Sequence, residues 1–291
     1  MLLHPTSHLV LWEQKSHSHL LEVPALECGD GTKPLAAGDV AQALAGSPSP
    51  PCAVILEMPH REIGGECTPW AEVLALRALC DAHGLLLHMD GARLWEALPF
   101  YARPENGGLT ACQVCAPFDS VYVSFYKGLG GMTGAMLAGT RAAVAEAKVW
   151  QRRFGGNLFT LLPYAVSAMD AFDTHKDSFA GRWDAMQAFV DAIKRAAAAA
   201  GSSGVLAFTP DAPQCSLVHV HLRGEVAALE AARDRAATAS GFKVFRVLRG
   251  ASSRGEGWTY FEWNVGPVNG AVGAASVEVA WAAFFAELAQ V

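Results

Sequence analysis

Residues 52–93 read CAVILEMPHREIGGECTPWAEVLALRALCDAHGLLLHMDGAR. Cys52–Leu56 is a continuous apolar run of strand length. Trp70–His83 carries Val73, Leu74, Leu76, Ala78 and Leu79 at helical spacing, begins behind Thr68-Pro69 and stops at Gly84. Leu85–Met89 is a second buried strand. A strand, a helix and a strand within about forty residues require two parallel strands joined by a right-handed crossover. The fold class follows: α/β, with a mostly parallel sheet.

The pattern continues on both sides of this unit. Gly46-Ser47-Pro48-Ser49-Pro50-Pro51 is a loop by composition. Ser120–Ser124 and Gly134–Ala138 read as further strands, and Arg141–Arg153, Leu161–His175 and Arg182–Ala200 as helices. Beyond Gly201-Ser202-Ser203-Gly204 the order is strand (Val205–Phe208), strand (Ser216–Leu222), helix (Glu225–Ser240), strand (Lys243–Leu248), strand (Tyr260–Val265) and helix (Ser276–Ala289). The expected division is a large domain over 1–175 and a small C-terminal α+β domain over 176–291.

Composition excludes several function classes. Of the 291 residues 52% are hydrophobic and 17% charged, so a sizeable core can form. The net charge of −6 speaks against nucleic acid as a partner, since phosphate binding needs clustered Lys and Arg. The longest stretch free of Asp, Glu, Lys and Arg, Val40–Leu56, is broken by Pro48, Pro50 and Pro51, so no membrane span is expected. Seven cysteines at irregular spacing (Cys28, Cys52, Cys67, Cys80, Cys112, Cys115, Cys215) read as reduced thiols of a cytoplasmic protein. Cys112 and Cys115 cannot close a tetrahedral metal site by themselves, and neither the His17/His19 nor the His219/His221 pair has a carboxylate or thiol beside it, so no metal is expected.

Three polar clusters fall at strand ends, where parallel sheets bind ligands. They are Glu57-Met58-Pro59-His60, His88-Met89-Asp90-Gly91-Ala92-Arg93, and Ser124-Phe125-Tyr126-Lys127-Gly128-Leu129-Gly130-Gly131. A lysine that forms a Schiff base needs a pocket in which its ammonium can lose a proton. Lys127, between an apolar strand and a glycine cluster, fits that need. A carboxylate beside a pyridine nitrogen keeps the nitrogen protonated and the ring an electron sink, a task for Asp90 at a buried strand end. Arg93 offers a fork to a substrate carboxylate.

HMDGAR at 88–93 with YKGLGG at 126–131 resembles the L-threonine aldolase/aromatic amino acid β-eliminating lyase family of fold-type I enzymes dependent on pyridoxal 5′-phosphate. LEMPH at 56–60 and HPTSHLVLWE at 4–13 support the resemblance, which runs from His8 to about Gly139. It implies Lys127 as the Schiff-base lysine, Asp90 as partner of the pyridine nitrogen, and Arg93 as the substrate-carboxylate arginine. It further implies His8 as the histidine stacked on the cofactor and His60 as a second active-site histidine, either of the two being the base. Tyr126 stands where the family has serine, and Ser124 is expected to serve at the cofactor instead. The family's C-terminal substrate arginine has no match by position; Arg246, Arg249 and Arg254 are the substitutes nearby. The family's phosphate-binding loop lies upstream of the His8 segment and has no counterpart here, so the chain is expected to be N-terminally truncated and to hold its cofactor weakly. Arg152 and Arg153 are further phosphate candidates.

The implied reaction is retro-aldol cleavage of an L-β-hydroxy-α-amino acid, threonine-like, to glycine and an aldehyde, by a homodimer or homotetramer. The alternatives are β-elimination from an amino acid with the same lysine, or a degenerate member that survives as a non-catalytic binding subunit.

Overall fold

The computed structural model describes residues 1–250 and 252–290. The chain divides into two compact units, Met1–Phe179 and Ala180–Val291, against the boundary expected after residue 175.

The first unit runs β1 (Leu2–Leu3), α1 (His8–Leu11), α2 (Ser16–His19), β2 (Leu26–Glu27), α3 (Ala37–Gly46), β3 (Ala53–Glu57), α4 (Trp70–His83), β4 (Leu86–Gly91), α5 (Leu94–Ala102), α6 (Ala111–Cys115), β5 (Ser120–Ser124), β6 (Ala135–Gly139), α7 (Arg141–Arg153) and α8 (Leu162–His175). Its sheet has the order β2-β1-β3-β4-β5-β6, parallel throughout except for β6, which is antiparallel to β5. The expected β-α-β unit is β3-α4-β4, with Ala53 opposite Leu86 and Glu57 opposite Asp90. α4 buries Val73, Leu76 and Cys80, one stripe at helical spacing, against the strands. Full burial of Val73 and Leu76 contributes roughly 1.5–3 kcal/mol each. Pro69 itself is the N-cap residue of α4, so the hydroxyl of Thr68 does not cap the helix. Gly84 closes it in the left-handed conformation at φ 65°.

Strands β3, β4 and β5 bury one face through Val54 and Leu56, Leu87 and Met89, and Val121 and Val123, while Ile55, His88 and Tyr122 on the other face are partly buried. β6 differs: all five of its residues are exposed. It forms the edge of the sheet beside an apolar groove of about 1030 Å3, lined by residues such as Phe118, Val121, Met136, Met169 and Phe172.

Phe179 at the start of α9 (Phe179–Ala199) closes the first unit; the second contains the rest of α9, β7 (Leu206–Thr209), β8 (Leu217–Arg223), α10 (Val226–Ser240), β9 (Trp258–Asn264) and α11 (Ala274–Leu288). Its antiparallel sheet has the order β7-β8-β9. Val218, Val220 and Leu222 of β8 join Trp281 and Phe284 of α11 in one core, while His219 and His221 alternate to the other face. His221 is held between the hydroxyls of Ser252 (2.7 Å) and Thr209 (2.9 Å), a structural role.

The expected strand over Lys243–Leu248 is absent. Val244 and Phe245 are both buried and join the core of this unit without pairing to the sheet. The Arg246 carbonyl instead accepts a hydrogen bond from Arg233 Nη1 at 2.9 Å. Only Arg249 reaches the sheet, through an isolated bridge to Tyr260.

Candidate active site

The carboxyl ends of β1, β3, β4 and β5 lie side by side, and each delivers part of one pocket. Its wall is formed by His8, which follows β1; Glu57, Pro59 and Arg61, which end and follow β3; Asp90, Ala92 and Arg93 from the end of β4; and Lys127 from the loop after β5. Lys127, Asp90, Arg93 and His8, separated by as many as 119 positions, therefore share one cleft.

Local structure fixes each group. Asp90 Oδ1 accepts the amide of Ala92 at 3.1 Å, which turns the carboxylate back over the strand end. Gly91 is glycine because β5 passes so close that a Cβ would lie 2.7 Å from the Tyr122 carbonyl oxygen. Arg93 is the N-cap residue of α5, and its Nη1 donates to Glu96 Oε1 at 3.0 Å. Glu96 is 2% exposed and sits in the first turn of α5, where the helix dipole favours an anion. His8 opens α1, and its Nε2 lies 3.0 Å from Glu13 Oε1.

Glu57 has no assignment at the sequence level, yet it belongs to the same wall. Burial, and then the neighbouring Asp90, push its carboxyl up to about 7. The pairing is set by the parallel register that places Glu57 opposite Asp90.

Two expected residues stand elsewhere. His60 is 2% exposed and does not line the pocket. Its Nε2–H donates to Thr6 Oγ1 (3.0 Å), that hydroxyl donates to His4 Nδ1 (2.9 Å), and His4 Nε2–H donates to the Lys33 carbonyl (2.9 Å). Burial pulls His60 down to about 4, so it is neutral and spends its proton on Thr6. Ser124 is 1% exposed and donates to the Ala92 carbonyl at 2.6 Å, where it ties β5 to the turn after β4 and does not face the pocket.

The remaining candidates have their own surroundings. Arg153 stacks over Trp150 at 4.5 Å at the exposed end of α7. Within the second unit, Arg254 Nη2 donates to the Phe208 carbonyl at 2.8 Å and Arg249 lies 6.0 Å over the Tyr260 ring. The large groove beside β6 is lined almost wholly by apolar side chains and lacks a charged group, so it is not where acid-base chemistry takes place. No disulfide joins the seven cysteines, and no helix among the described residues is long and apolar enough to cross a membrane.

The β-eliminating lyase family profile matches residues 1–239. The chain belongs to the β-eliminating lyase family. Two solved structures agree: a Listeria monocytogenes protein described as an L-allo-threonine aldolase (31% identity, TM-score 0.86) and an Exiguobacterium protein described as an aromatic amino acid β-eliminating lyase/threonine aldolase (28%, 0.86). Each match covers 98% of this chain and 74% or 75% of the other. A Schizosaccharomyces pombe protein described as a low-specificity L-threonine aldolase is 38% identical over 96 residues, 33% of this chain and 24% of its own length. The chain thus matches about a quarter of the length of that curated relative. The family's architecture is the fold-type I one, a mostly parallel sheet followed by a small antiparallel unit, as found here.

Proposed function

We propose that this protein is a lyase dependent on pyridoxal 5′-phosphate that cleaves an L-β-hydroxy-α-amino acid of the threonine type to glycine and an aldehyde. The observation that carries this reading is the meeting of Lys127, Asp90, Arg93 and His8 in one pocket of a chain that belongs to the β-eliminating lyase family. The donor set fits the cofactor: an amine for its aldehyde, a fixed carboxylate for its ring nitrogen and an imidazole beside them. When bound, the cofactor supplies an electron sink for the pair released as the Cα–Cβ bond breaks.

The protein's own groups divide the rest of the work. Lys127 would hold the cofactor through its amine, which condenses reversibly with an aldehyde. Asp90, anchored by the Ala92 amide, keeps a proton on the ring nitrogen. Arg93, aimed by Glu96, binds the substrate carboxylate. His8 accepts the β-hydroxyl proton, and Glu13 holds its ring. His60 lies outside the pocket wall, which favours His8 as the base.

A homodimer or homotetramer in the cytoplasm is part of the same proposal. The exposed apolar edge at β6 supports association, and seven cysteines outside any disulfide support a reducing compartment. The test is aldehyde release from L-threonine by the protein supplied with cofactor. Loss of release in K127A, with the fold intact by circular dichroism, is the expected result. Equal release by K127A would end the proposal.

A further inference from the structure

Glu57 takes no part in the chemistry proposed above, yet it is 8% exposed and forms part of the pocket wall. It ends β3 directly opposite Asp90 on β4. Both of its oxygens are engaged: Oε2 accepts the amide of His8 at 3.1 Å, and Oε1 accepts the amide of Arg61 at 3.1 Å. The first amide opens α1, and the second opens the 3-10 turn Arg61–Ile63. Neither element has a side-chain cap from its own N-cap residue, Ser7 or His60, so Glu57 caps both from a third element.

We propose that Glu57 is a positioning residue that couples the Asp90 end of the pocket to the His8 segment: its carboxyl holds the amides of His8 and Arg61, its ionisation beside Asp90 loosens that hold, and a cationic group held by Asp90 offsets the repulsion and restores it. The cationic group is the protonated pyridine nitrogen, so this part rests on the function proposed above. The groups that face Glu57 are Asp90 from β4, His8 from α1 and Arg61 from the 3-10 turn, with Arg93 and Lys127 in the same pocket.

The sign of the coupling follows from where the proton goes. In the closed pocket without a cation, burial and Asp90 favour the neutral acid and raise its pKa to about 7. Opening of the His8 segment returns Glu57 to water and to its ordinary value of 4.5. The closed segment therefore binds the extra proton; its stability is fully present below about 4.5 and is lost as the pH rises through about 7. A cation at Asp90 opposes the repulsion, lowers the proton affinity of Glu57 and removes that loss. By reciprocity, an ordered His8 segment tightens binding of the cation.

Hydrogen exchange of the peptide spanning His8, expressed as protection relative to the intrinsic rate, tests this between about pH 5 and about pH 8. The full chain is used with and without pyridoxal 5′-phosphate, as wild type, E57Q, E57D and D90N. Without cofactor, wild-type protection should fall with rising pH by up to roughly a hundredfold. The cofactor should restore it at the upper end. E57Q, which cannot ionise, should show neither change; D90N should show a smaller fall; E57D, if E57Q does not fold, should keep the fall. A flat wild-type profile, or the same fall in E57Q, would overturn the proposal. Should the cofactor fail to bind the wild type, the proposed function fails by itself, and the profile without cofactor still decides whether Glu57 fastens His8.

Discussion

Replacing Gly128 by alanine probes how the loop behind Lys127 is held. A Cβ at this position would lie 2.8 Å from Glu96 Oε1 and 2.8 Å from Phe179 Cε1, closer than real Cβ contacts come. Neither neighbour has room to retreat. Phe179 and Glu96 are each 2% exposed, and Glu96 is committed to Arg93 at 3.0 Å. If the loop backbone yields, the cost is that of overpacking, about 1–3 kcal/mol. If Glu96 yields, the buried pair with Arg93 breaks, and the cost rises to about 3–5 kcal/mol. Either route displaces Lys127 or Arg93, so cofactor loading should weaken together with stability. Urea unfolding followed by circular dichroism gives the first quantity, and cofactor titration the second. G38A is the control: Gly38 lies within α3 with nothing inside 4 Å of its Cβ position, and alanine there should stabilise by about 0.5–1 kcal/mol. A loss in G128A below about 0.5 kcal/mol with unchanged loading would refute the packing argument, since that is the range of an uninvolved surface position.

H8A should lower turnover by about 10²–10⁴, the usual contribution of a positioned acid-base group, whereas H60A should act through stability and the Thr6–His4 chain, with a smaller loss of turnover; steady-state kinetics beside thermal melts separate the two. D90A should cut turnover by about 10²–10³ while the far-ultraviolet spectrum is kept, and near-normal turnover with cofactor bound would remove Asp90 from its role.

Much of this site is legible in the amino-acid sequence alone. The β3-α4-β4 unit shows itself because its strands are largely apolar runs and its helix buries one regular stripe, Val73, Leu76 and Cys80. That unit places Asp90 and Arg93 at a strand end, and the apolar run of β5 does the same for Lys127. The two-residue strands β1 and β2 and the four-residue α1 and α2 are too short to carry a period; β1 is defined by its pairing with β3, β2 by its pairing with β1, and the start of α1 by the Glu57 capping bond. The bond of Ser124 to the Ala92 carbonyl joins two strand ends, and the partners of His60, Thr6 and His4, lie more than fifty positions away, so neither contact shows in the local sequence. Glu57 has no visible role because its meaning lies in the register of β3 against β4, which no local pattern encodes. The segment Lys243–Leu248 has strand composition, but its backbone is engaged elsewhere, the Arg246 carbonyl accepting from Arg233 Nη1.

The central claim is that Lys127 carries the cofactor, and the most direct measurement is chemical. The protein is incubated with pyridoxal 5′-phosphate, reduced with borohydride and mapped by peptide mass. The account predicts a single pyridoxyl adduct on Lys127, at the pocket shared with Asp90 and His8, with K127A left unlabelled. A stable adduct on another lysine, or none on Lys127 under conditions in which the chain is folded, would contradict it.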